Sequence, residues 1–280
     1  MISISDITRY LKENQISFTY CGDKALNIDG FCPLNDLKSN SMTWIRDASS
    51  YNIFVLEDYD NMLVICNQVE LEKMMKTNYI FTDNPHSVYF SILSEFFDKQ
   101  QVNTTSRRNH SIIETNNIGQ NVSIGHFCYI GQNVIIEDNV IIHNNVSIDG
   151  KVHIGKNTVI YSGVVIGMDG FGYYDDINNQ HKRVPHLGGV IIGNNVEIGA
   201  NTCIAKGCLG DTIISDDVKI DNLCHIAHNV FIGKRSKIIA LSMLAGSSVI
   251  GEDVWVAPCS AIKNQVTVGD NSLVGLGSVV

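Results

Sequence analysis

Residues 130–154 read Ile-Gly-Gln-Asn-Val-Ile-Ile-Glu-Asp-Asn-Val-Ile-Ile-His-Asn-Asn-Val-Ser-Ile-Asp-Gly-Lys-Val-His-Ile, with isoleucine at every sixth position. This spacing runs without exception from Ile112 to Ile166, and the fourth residue after most of these isoleucines is small or β-branched. We call the repeated aliphatic residue the guide residue. A guide residue in every hexad predicts a parallel β-helix, in which three hexads close one coil and coils stack about 4.8 Å apart.

Two interruptions break the repeat. Residues 167–191, which contain Met-Asp-Gly-Phe-Gly-Tyr-Tyr and later His-Lys-Arg-Val-Pro-His, are too many and too polar to form coil. A shorter slip of four residues lies between Ile204 and Ile214. We expect an excursion loop at 167–191 and a bulge at the slip. On a regular scaffold, a long loop is where function tends to be added.

The first hundred residues lack the six-residue repeat and have mixed patterning. We therefore predict a small α+β domain at 1–105 and the β-helix at 110–280, with a polar linker between them. In the first domain we expect a helix capped by Ser5 or Asp6. The other expected elements are strands at 16–20, 42–45, 51–56 and 61–65 and helices at 70–76 and 86–97.

The composition narrows the function classes. A net charge of −9 argues against a surface that tracks DNA or RNA, and 44% apolar residues among 280 can supply a core. We find no secretory signal and no apolar run of the roughly 18 residues that span a bilayer, so we expect a cytoplasmic protein. The eight cysteines suggest reduced thiols. We expect those at the small corner positions to pack inside: Cys128, Cys208 and Cys224.

Residues 221–229, Asp-Asn-Leu-Cys-His-Ile-Ala-His-Asn, place two histidines in the repeat. Since residues 18 apart stack, His228 should lie below Gly246 and Asn264, with Gln265 beside the column, and His225 below a methionine. Imidazole changes protonation near neutral pH and can take a proton from an attacking amine. A glycine N–H can stabilise an oxyanion. The arrangement suggests acyl transfer. Basic residues that could receive phosphates of a thioester carrier are Lys234, Lys237 and Lys263.

Four segments, residues 165–173, 190–202, 209–214 and 220–230, closely resemble the UDP-3-O-acylglucosamine N-acyltransferases of lipid A synthesis. The two sequences most specific to that family are Asp-Gly-Phe-Gly-Tyr and Ile-Ala-His-Asn-Val. The resemblance implies a left-handed β-helix and a homotrimer. It also implies that His228 is the general base and Gly246 the oxyanion donor.

The same resemblance implies that the N-terminal domain holds the base of a nucleotide sugar. The corresponding stretch is 42–51, where Trp44 and Tyr51 are candidates for base contacts and Asp47 for a polar contact. Further candidate substrate contacts are Phe171, Tyr173, His225 and Gln265. For Phe171 and Tyr173, packing on a neighbouring subunit is an equal alternative.

Two stretches depart from the family pattern. The family has Ile-Asp-Arg-Gly-Ala-Leu where this chain has Ile-Ala-Lys-Gly-Cys-Leu at 204–209. After about residue 254 the sequence is more similar to coenzyme A-dependent nucleotide-sugar N-acetyltransferases. We therefore expect an N-acyltransferase that moves an acyl group from acyl-CoA or acyl carrier protein to a nucleotide-linked amino sugar for lipopolysaccharide or other surface glycans. The alternative is the lipid A enzyme proper. We expect no tightly bound cofactor and no metal.

A different class is a zinc-dependent β-helix hydratase of the carbonic anhydrase type, which needs three histidines meeting across a subunit interface, two of them on the coil with four residues between. His225 and His228 have two residues between them. His181 and His186 have four, but both lie on the excursion loop. A scaffold or ice-binding solenoid ranks last, because it predicts flat threonine arrays and no excursion loop.

Overall fold

The computed structural model describes residues 1–48, 52–68, 76–98 and 110–280, and the chain divides into two compact units, Met1–Gln101 and Val102–Val280. None of the described helices is both long and apolar enough to cross a membrane. The segments 49–51, 69–75 and 99–109 lie outside the described residues. The expected linker and most of the helix expected at 70–76 fall there.

The first unit is an α+β domain. Its described strands form a mixed five-stranded sheet in the order Thr19–Cys21, Asn78–Phe81, Leu63–Cys66, Ser41–Trp44 and Gly30–Phe31, with only the first pair antiparallel. Ile2–Ser3 pairs with Asn27–Ile28. The helices are Ile4–Glu13 and Pro85–Phe96, with a 3₁₀ helix at Ile53–Asp58. Two inner strands, Leu63–Cys66 and Asn78–Phe81, are buried along their whole length, as expected for strands covered on two faces.

Three details of this unit correct the sequence predictions. Ser3 caps the first helix, because its hydroxyl accepts the Asp6 N–H at 3.1 Å; Ser5 and Asp6 are already helical. The segment expected as a strand at 51–56 is instead a 3₁₀ helix from Ile53, since the Asn52 side chain accepts the Phe54 N–H and starts a turn. The strand expected at 16–20 begins later, at Thr19.

The second unit is the predicted parallel β-helix of left-handed type. Its strands form three parallel sheets, which we call faces A, B and C. Face A contains Ile112–Ile113, Tyr129–Ile130, Ser147–Ile148, Val165–Met168, Cys203–Ala205, His225–Ile226, Met243–Leu244 and Ala261–Ile262. Face B contains Val134–Ile136, Val152–Ile154, Val190–Ile192, Thr212–Ile214, Phe231–Ile232, Val249–Ile250 and Thr267–Val268. Face C contains Ser123–Ile124, Ile141–Ile142, Val159–Ile160, Glu197–Ile198, Lys219–Ile220, Lys237–Ile238, Trp255–Val256 and Leu273–Val274.

The guide residues stack inside the coils. Ile130 pairs with Ile148, and Ile148 with Ile166, in the 18-residue register that the hexads predict. From Ile124 to Val274 every guide residue is at most 7% exposed, so one continuous aliphatic column forms the core. Burying side chains of this size contributes about 1.5–3 kcal/mol each to the free energy of folding.

The first guide position was predicted wrongly. Ile112 is 61% exposed, and its neighbour Ile113 pairs with Ile130 and packs on the core. The first hexad is one residue short, and Thr115 closes that corner by donating its hydroxyl to the Val134 carbonyl at 2.6 Å.

The corners between faces repeat two side-chain devices. At most corners the third residue after the guide has positive φ, and it is often asparagine, which tolerates this conformation. The second residue after the guide is often Asp or Asn, and its side chain accepts a backbone N–H from the coil below. Asp138 accepts the Gln120 N–H, and Asp270 accepts the Glu252 N–H, both at 2.8 Å. Regular corners therefore leave few backbone donors unpaired.

The two interruptions meet in space. The excursion loop carries a hairpin of Tyr173–Asp175 and His181–Arg183, and the bulge holds the loop's return through backbone hydrogen bonds. The Leu187 N–H donates to the Cys208 carbonyl at 2.7 Å. Gly207 must be glycine, since a Cβ there would lie 1.7 Å from the Gly210 carbonyl oxygen. Loop and bulge thus form one feature beside face A.

Candidate functional site

A pocket of about 400 Å³ lies on face A, between the excursion loop and three successive coils. Its wall includes a column of alanines that the strand register places one above another: Ala205, Ala227 and Ala245. The remaining lining comes from the start of the loop and from both histidines of the 221–229 segment: Met168, Asp169, Gly170, Phe171, His225, His228, Met243 and Gly246.

Gly246 lies against the imidazole of His228. The register pairs Ile226 with Leu244, which places Gly246 one coil above His228. A Cβ on Gly246 would lie 2.7 Å from Nε2 and 2.8 Å from Cε1 of that ring. Since Cβ atoms do not approach other atoms so closely, any larger residue at this position would require the imidazole to move.

Asn229 selects the tautomer of the neutral His228 ring. The side-chain amide has one orientation, because Oδ1 accepts the Cys208 N–H and Nδ2 donates to the Gly210 carbonyl, both at 2.9 Å. The same Oδ1 lies 3.1 Å from Nδ1 of His228. An amide oxygen only accepts, so Nδ1 carries the proton and the neutral ring presents an unprotonated Nε2 towards Gly246.

The backbone N–H of Gly246 is an available donor. Gly246 occupies the repeat position whose N–H is taken up at regular corners by an Asp or Asn of the coil above. The equivalent residue above it is Asn264, yet within the described residues no acceptor takes the Gly246 N–H. A free N–H beside an unprotonated imidazole nitrogen can stabilise an oxyanion whose formation that nitrogen assists.

The loop is attached next to the pocket by an ion pair. Asp169 lies 2.9 Å from the Lys206 ammonium of the bulge and 3.7 Å from Arg183 of the hairpin. The hydrogen bond from Lys206 is the main reason that the pKa of the Asp169 carboxyl is lowered. The carboxylate therefore stays ionised and holds the loop to the coil at neutral pH.

Several predicted substrate contacts lie in or near the pocket. Phe171 lines it and is 88% exposed, and its ring packs edge-on against Tyr173, which begins the hairpin. His225 lines the pocket below Met243, and desolvation lowers its pKa, which favours the neutral ring. Gln265 lies at the same corner as Asn229, two coils above it, where its N–H donates to the Gly246 carbonyl at 3.1 Å.

The predicted basic residues do not all lie together in this chain. Lys263 stacks above Ala245, at the upper end of the alanine column. Lys234 and Lys237 are near face C: Lys234 pairs with Asp216 at 3.4 Å, and the Lys237 ammonium lies 5.5 Å from the Trp255 ring centroid.

The candidate base contacts belong to the first unit. Trp44 ends a sheet strand and packs edge-on against His86 of the second helix, with ring centroids 5.1 Å apart. Asp47 is exposed in the segment that follows this strand. Tyr51 lies outside the described residues.

The cysteine prediction holds for two of three residues. Cys128 and Cys224 are buried at corners of the β-helix, and burial raises the pKa of Cys224 to about 11. Cys208 lies in the bulge and is only half-buried, because the four inserted residues move it off the corner column. Among the described residues there is no group of three or more His, Cys, Asp or Glu side chains placed to hold a metal ion.

Sequence reasoning missed Asn229, His186 and the Asp169–Lys206 pair. Asn229 stands inside the motif that predicted His228, but its role depends on a bulge whose path the repeat does not specify. His186 is the last histidine before the ladder resumes, which was a possible signal; it is 5% exposed and packs against His228.

The chain is similar to several known proteins in sequence and in fold. The family described as bacterial transferase hexapeptide (six repeats) matches residues 117–150 and 133–167. UDP-3-O-acylglucosamine N-acyltransferase 2 of Legionella pneumophila (strain Lens) is 55% identical over 101 residues, which are 36% of this chain and 29% of that protein. UDP-3-O-acylglucosamine N-acyltransferase of Bordetella pertussis (strain Tohama I) is 42% identical over 132 residues, 46% of this chain and 36% of that protein.

The solved structure of the Francisella novicida UDP-N-acetylglucosamine acyltransferase matches with a TM-score of 0.56 and 24% identity, over 62% of each chain. This likeness shows the shared fold. Together the matches confirm the resemblance that the sequence motifs suggested. The chain spans between 27% and 38% of the length of the curated relatives that it matches.

Proposed function

We propose that this chain is an N-acyltransferase that moves an acyl group from a thioester to the amine of a nucleotide-linked 3-O-acylglucosamine. The observation that carries the proposal is the contact of the His228 ring, oriented by Asn229, with Gly246, whose N–H has no acceptor among the described residues. The names of the relatives favour this narrower reaction over transfer to an unspecified amino sugar.

The residues of the pocket suit each step of such a transfer. The sugar amine attacks the thioester carbonyl while Nε2 of His228 takes its proton. The carbonyl oxygen becomes an oxyanion, which the Gly246 N–H stabilises. A C–N bond forms, the C–S bond breaks, and the proton passes from His228 to the departing thiolate. An amide and a free thiol result.

The apolar wall of the pocket supports an aliphatic acyl group. The alanine column Ala205, Ala227 and Ala245 leaves room along the coils, and two methionines, Met168 and Met243, border it. Met side chains adapt to flexible apolar chains. Lys263, at the upper end of the column, is the proposed contact for a phosphate of the thioester carrier, whether coenzyme A or acyl carrier protein.

The first unit would hold the nucleotide base, with Trp44 and Asp47 as contacts, as the resemblance implies. A homotrimer is also part of the proposal. Face B supports it, because its outward positions carry a stripe of exposed aliphatic and aromatic side chains that association would cover: Ile135, Ile191, Phe231 and Val249. Sedimentation equilibrium should give three times the chain mass; a monomer would contradict this part.

Mass spectrometry of purified protein tests the reaction. It would be incubated with acetyl-CoA or a long-chain acyl carrier protein thioester, and with UDP-linked glucosamine carrying or lacking a 3-O-acyl group. We expect acyl transfer to the 3-O-acylated sugar, and its loss in His228→Ala. His126→Ala is the matched control, because His126 occupies the same repeat position on another corner. Absence of transfer with every pair, or an active His228→Ala protein, would overturn the proposal.

A further inference from the structure

His186 closes the side of the catalytic imidazole that faces the loop. Its ring centroid lies 5.2 Å from that of His228, with the ring planes at 72°. It is 5% exposed, and its Nδ1 lies 2.9 Å from the Val184 carbonyl. Since a carbonyl only accepts, Nδ1 carries the proton in the neutral ring. The hydrogen bond therefore fixes the orientation of His186 against His228.

The loop backbone lies against both rings at Gly170. A Cβ on Gly170 would lie 2.6 Å from Nε2 of His186 and 2.8 Å from both Cβ and Cδ2 of His228. Gly170 is therefore in direct contact with both imidazoles. The preceding residue, Asp169, is held to the bulge by Lys206 at 2.9 Å. Gly170 consequently has little freedom to move away from His228.

We propose that His186 is a positioning residue for His228, an inference that rests on the proposed function of that site. Asn229 holds the Nδ1 side of the His228 ring and Gly246 bounds the Nε2 side. His186, with Gly170, bounds the remaining side. These contacts hold the ring in the rotamer that places Nε2 against Gly246.

The alternative is that His186 only completes the fold of the loop. The two roles differ in what happens to the His228 ring. If His186 positions it, removal of the His186 ring frees His228 to turn about its Cβ–Cγ bond, and the hydrogen bond from Nδ1 to Asn229 is lost for part of the time. If His186 serves the loop alone, that hydrogen bond persists.

The test combines kinetics with ¹⁵N NMR of the histidine rings in His186→Ala and His186→Phe. In His186→Ala we expect kcat to fall about 10- to 100-fold, as for a misplaced catalytic group, with KM changed far less. The NMR spectrum should show that the Nδ1–H form of His228 no longer dominates. His186→Phe keeps an aromatic ring against His228 and should recover most of the kcat and most of the Nδ1–H form of His228. His181→Ala, on the same loop but exposed, is the control.

An unchanged His228 tautomer in His186→Ala would overturn the inference, whatever the rate. Loss of the tautomer in His186→Phe as well would also overturn it, because ring packing would then not be the cause. The NMR measurement needs no substrate. If His186→Ala shows the expected tautomer change but the unsubstituted protein transfers no acyl group, the positioning role is sustained and the proposed function is refuted.

Discussion

Gly246→Ala tests the geometry of the site most directly. The new Cβ would lie 2.7 Å from Nε2 of His228, whereas ordinary contact begins at 3.4 Å. The imidazole would have to retreat by about 0.7 Å, but Asn229 and His186 oppose that movement. Displacement on this scale costs roughly 10²-fold in rate. Forcing a methyl group into a packed site costs about 1–3 kcal/mol of unfolding free energy.

Two assays separate these effects. Acyl transfer is followed by mass spectrometry, and stability by urea denaturation monitored by circular dichroism. Gly269→Ala is the matched control: Gly269 also belongs to a corner, its φ is not positive, and the nearest atom to its added Cβ would be 4.0 Å away. There we expect unchanged activity and a gain of up to about 1 kcal/mol, because alanine lowers the entropy of the unfolded chain.

Removing the His228 ring should also remove the clash with the new Cβ at position 246. In a His228→Ala background, Gly246→Ala should cost almost nothing in stability, so the double-mutant cycle should show a coupling of about 1–3 kcal/mol. If Gly246→Ala retained wild-type turnover, or if its stability cost persisted without the imidazole, the contact between Gly246 and His228 would not be what shapes this site.

Three further outcomes follow from named contacts. Asn229→Ala should lower turnover about 10- to 100-fold, because His228 loses the acceptor that orients its ring. It should also lower the unfolding free energy by about 1–3 kcal/mol, because the Cys208 N–H loses its hydrogen-bond acceptor. Wild-type kinetics would contradict this prediction. Burial raises the pKa of Cys66 to about 12, so at pH 8 it stays a thiol, and mass spectrometry should find iodoacetamide on exposed Cys21 before Cys66 unless urea is added. Lys206 is the main cause of the lowered pKa of Asp169, so the stability that this carboxylate gives the loop is present above the usual aspartate range and is lost as pH falls through the lowered pKa. Hydrogen exchange at Gly170 should therefore show added opening in acid. Lys206→Met should weaken that pH dependence, because only the more distant Arg183 then pairs with Asp169.

The fold could be predicted because the β-helix is a periodic structure. Each guide residue faces the same interior, so a six-residue aliphatic repeat specifies the strands, the corners and the register between coils together. The prediction failed at Ile112, where a hexad of five residues shifts the inward position to Ile113. It failed again at the 3₁₀ helix Ile53–Asp58, because apolar runs this short do not distinguish a strand from a turn of helix.

The stacking of Gly246 above His228 could be predicted for the same reason, since both lie in an unbroken run with an 18-residue register. The residues that orient His228 could not. The side-chain amide of Asn229 is hydrogen-bonded to the backbone of Cys208 and Gly210, which lie where the register slips. Once the repeat is broken, residue spacing no longer fixes which atoms meet.

The slip has a physical consequence that a regular coil could not provide. At regular corners, backbone N–H groups of one coil are taken up by Asp or Asn of the next. At the bulge, the Cys208 N–H and the Gly210 carbonyl instead fix both ends of the Asn229 amide. A rigid amide with its oxygen towards Nδ1 is what gives His228 a single tautomer. The same bulge pairs with the return of the excursion loop through Leu187, which directly follows His186. The bulge therefore sets two sides of the His228 ring at once, and deleting its four extra residues would restore the repeat while removing the groups that orient the base.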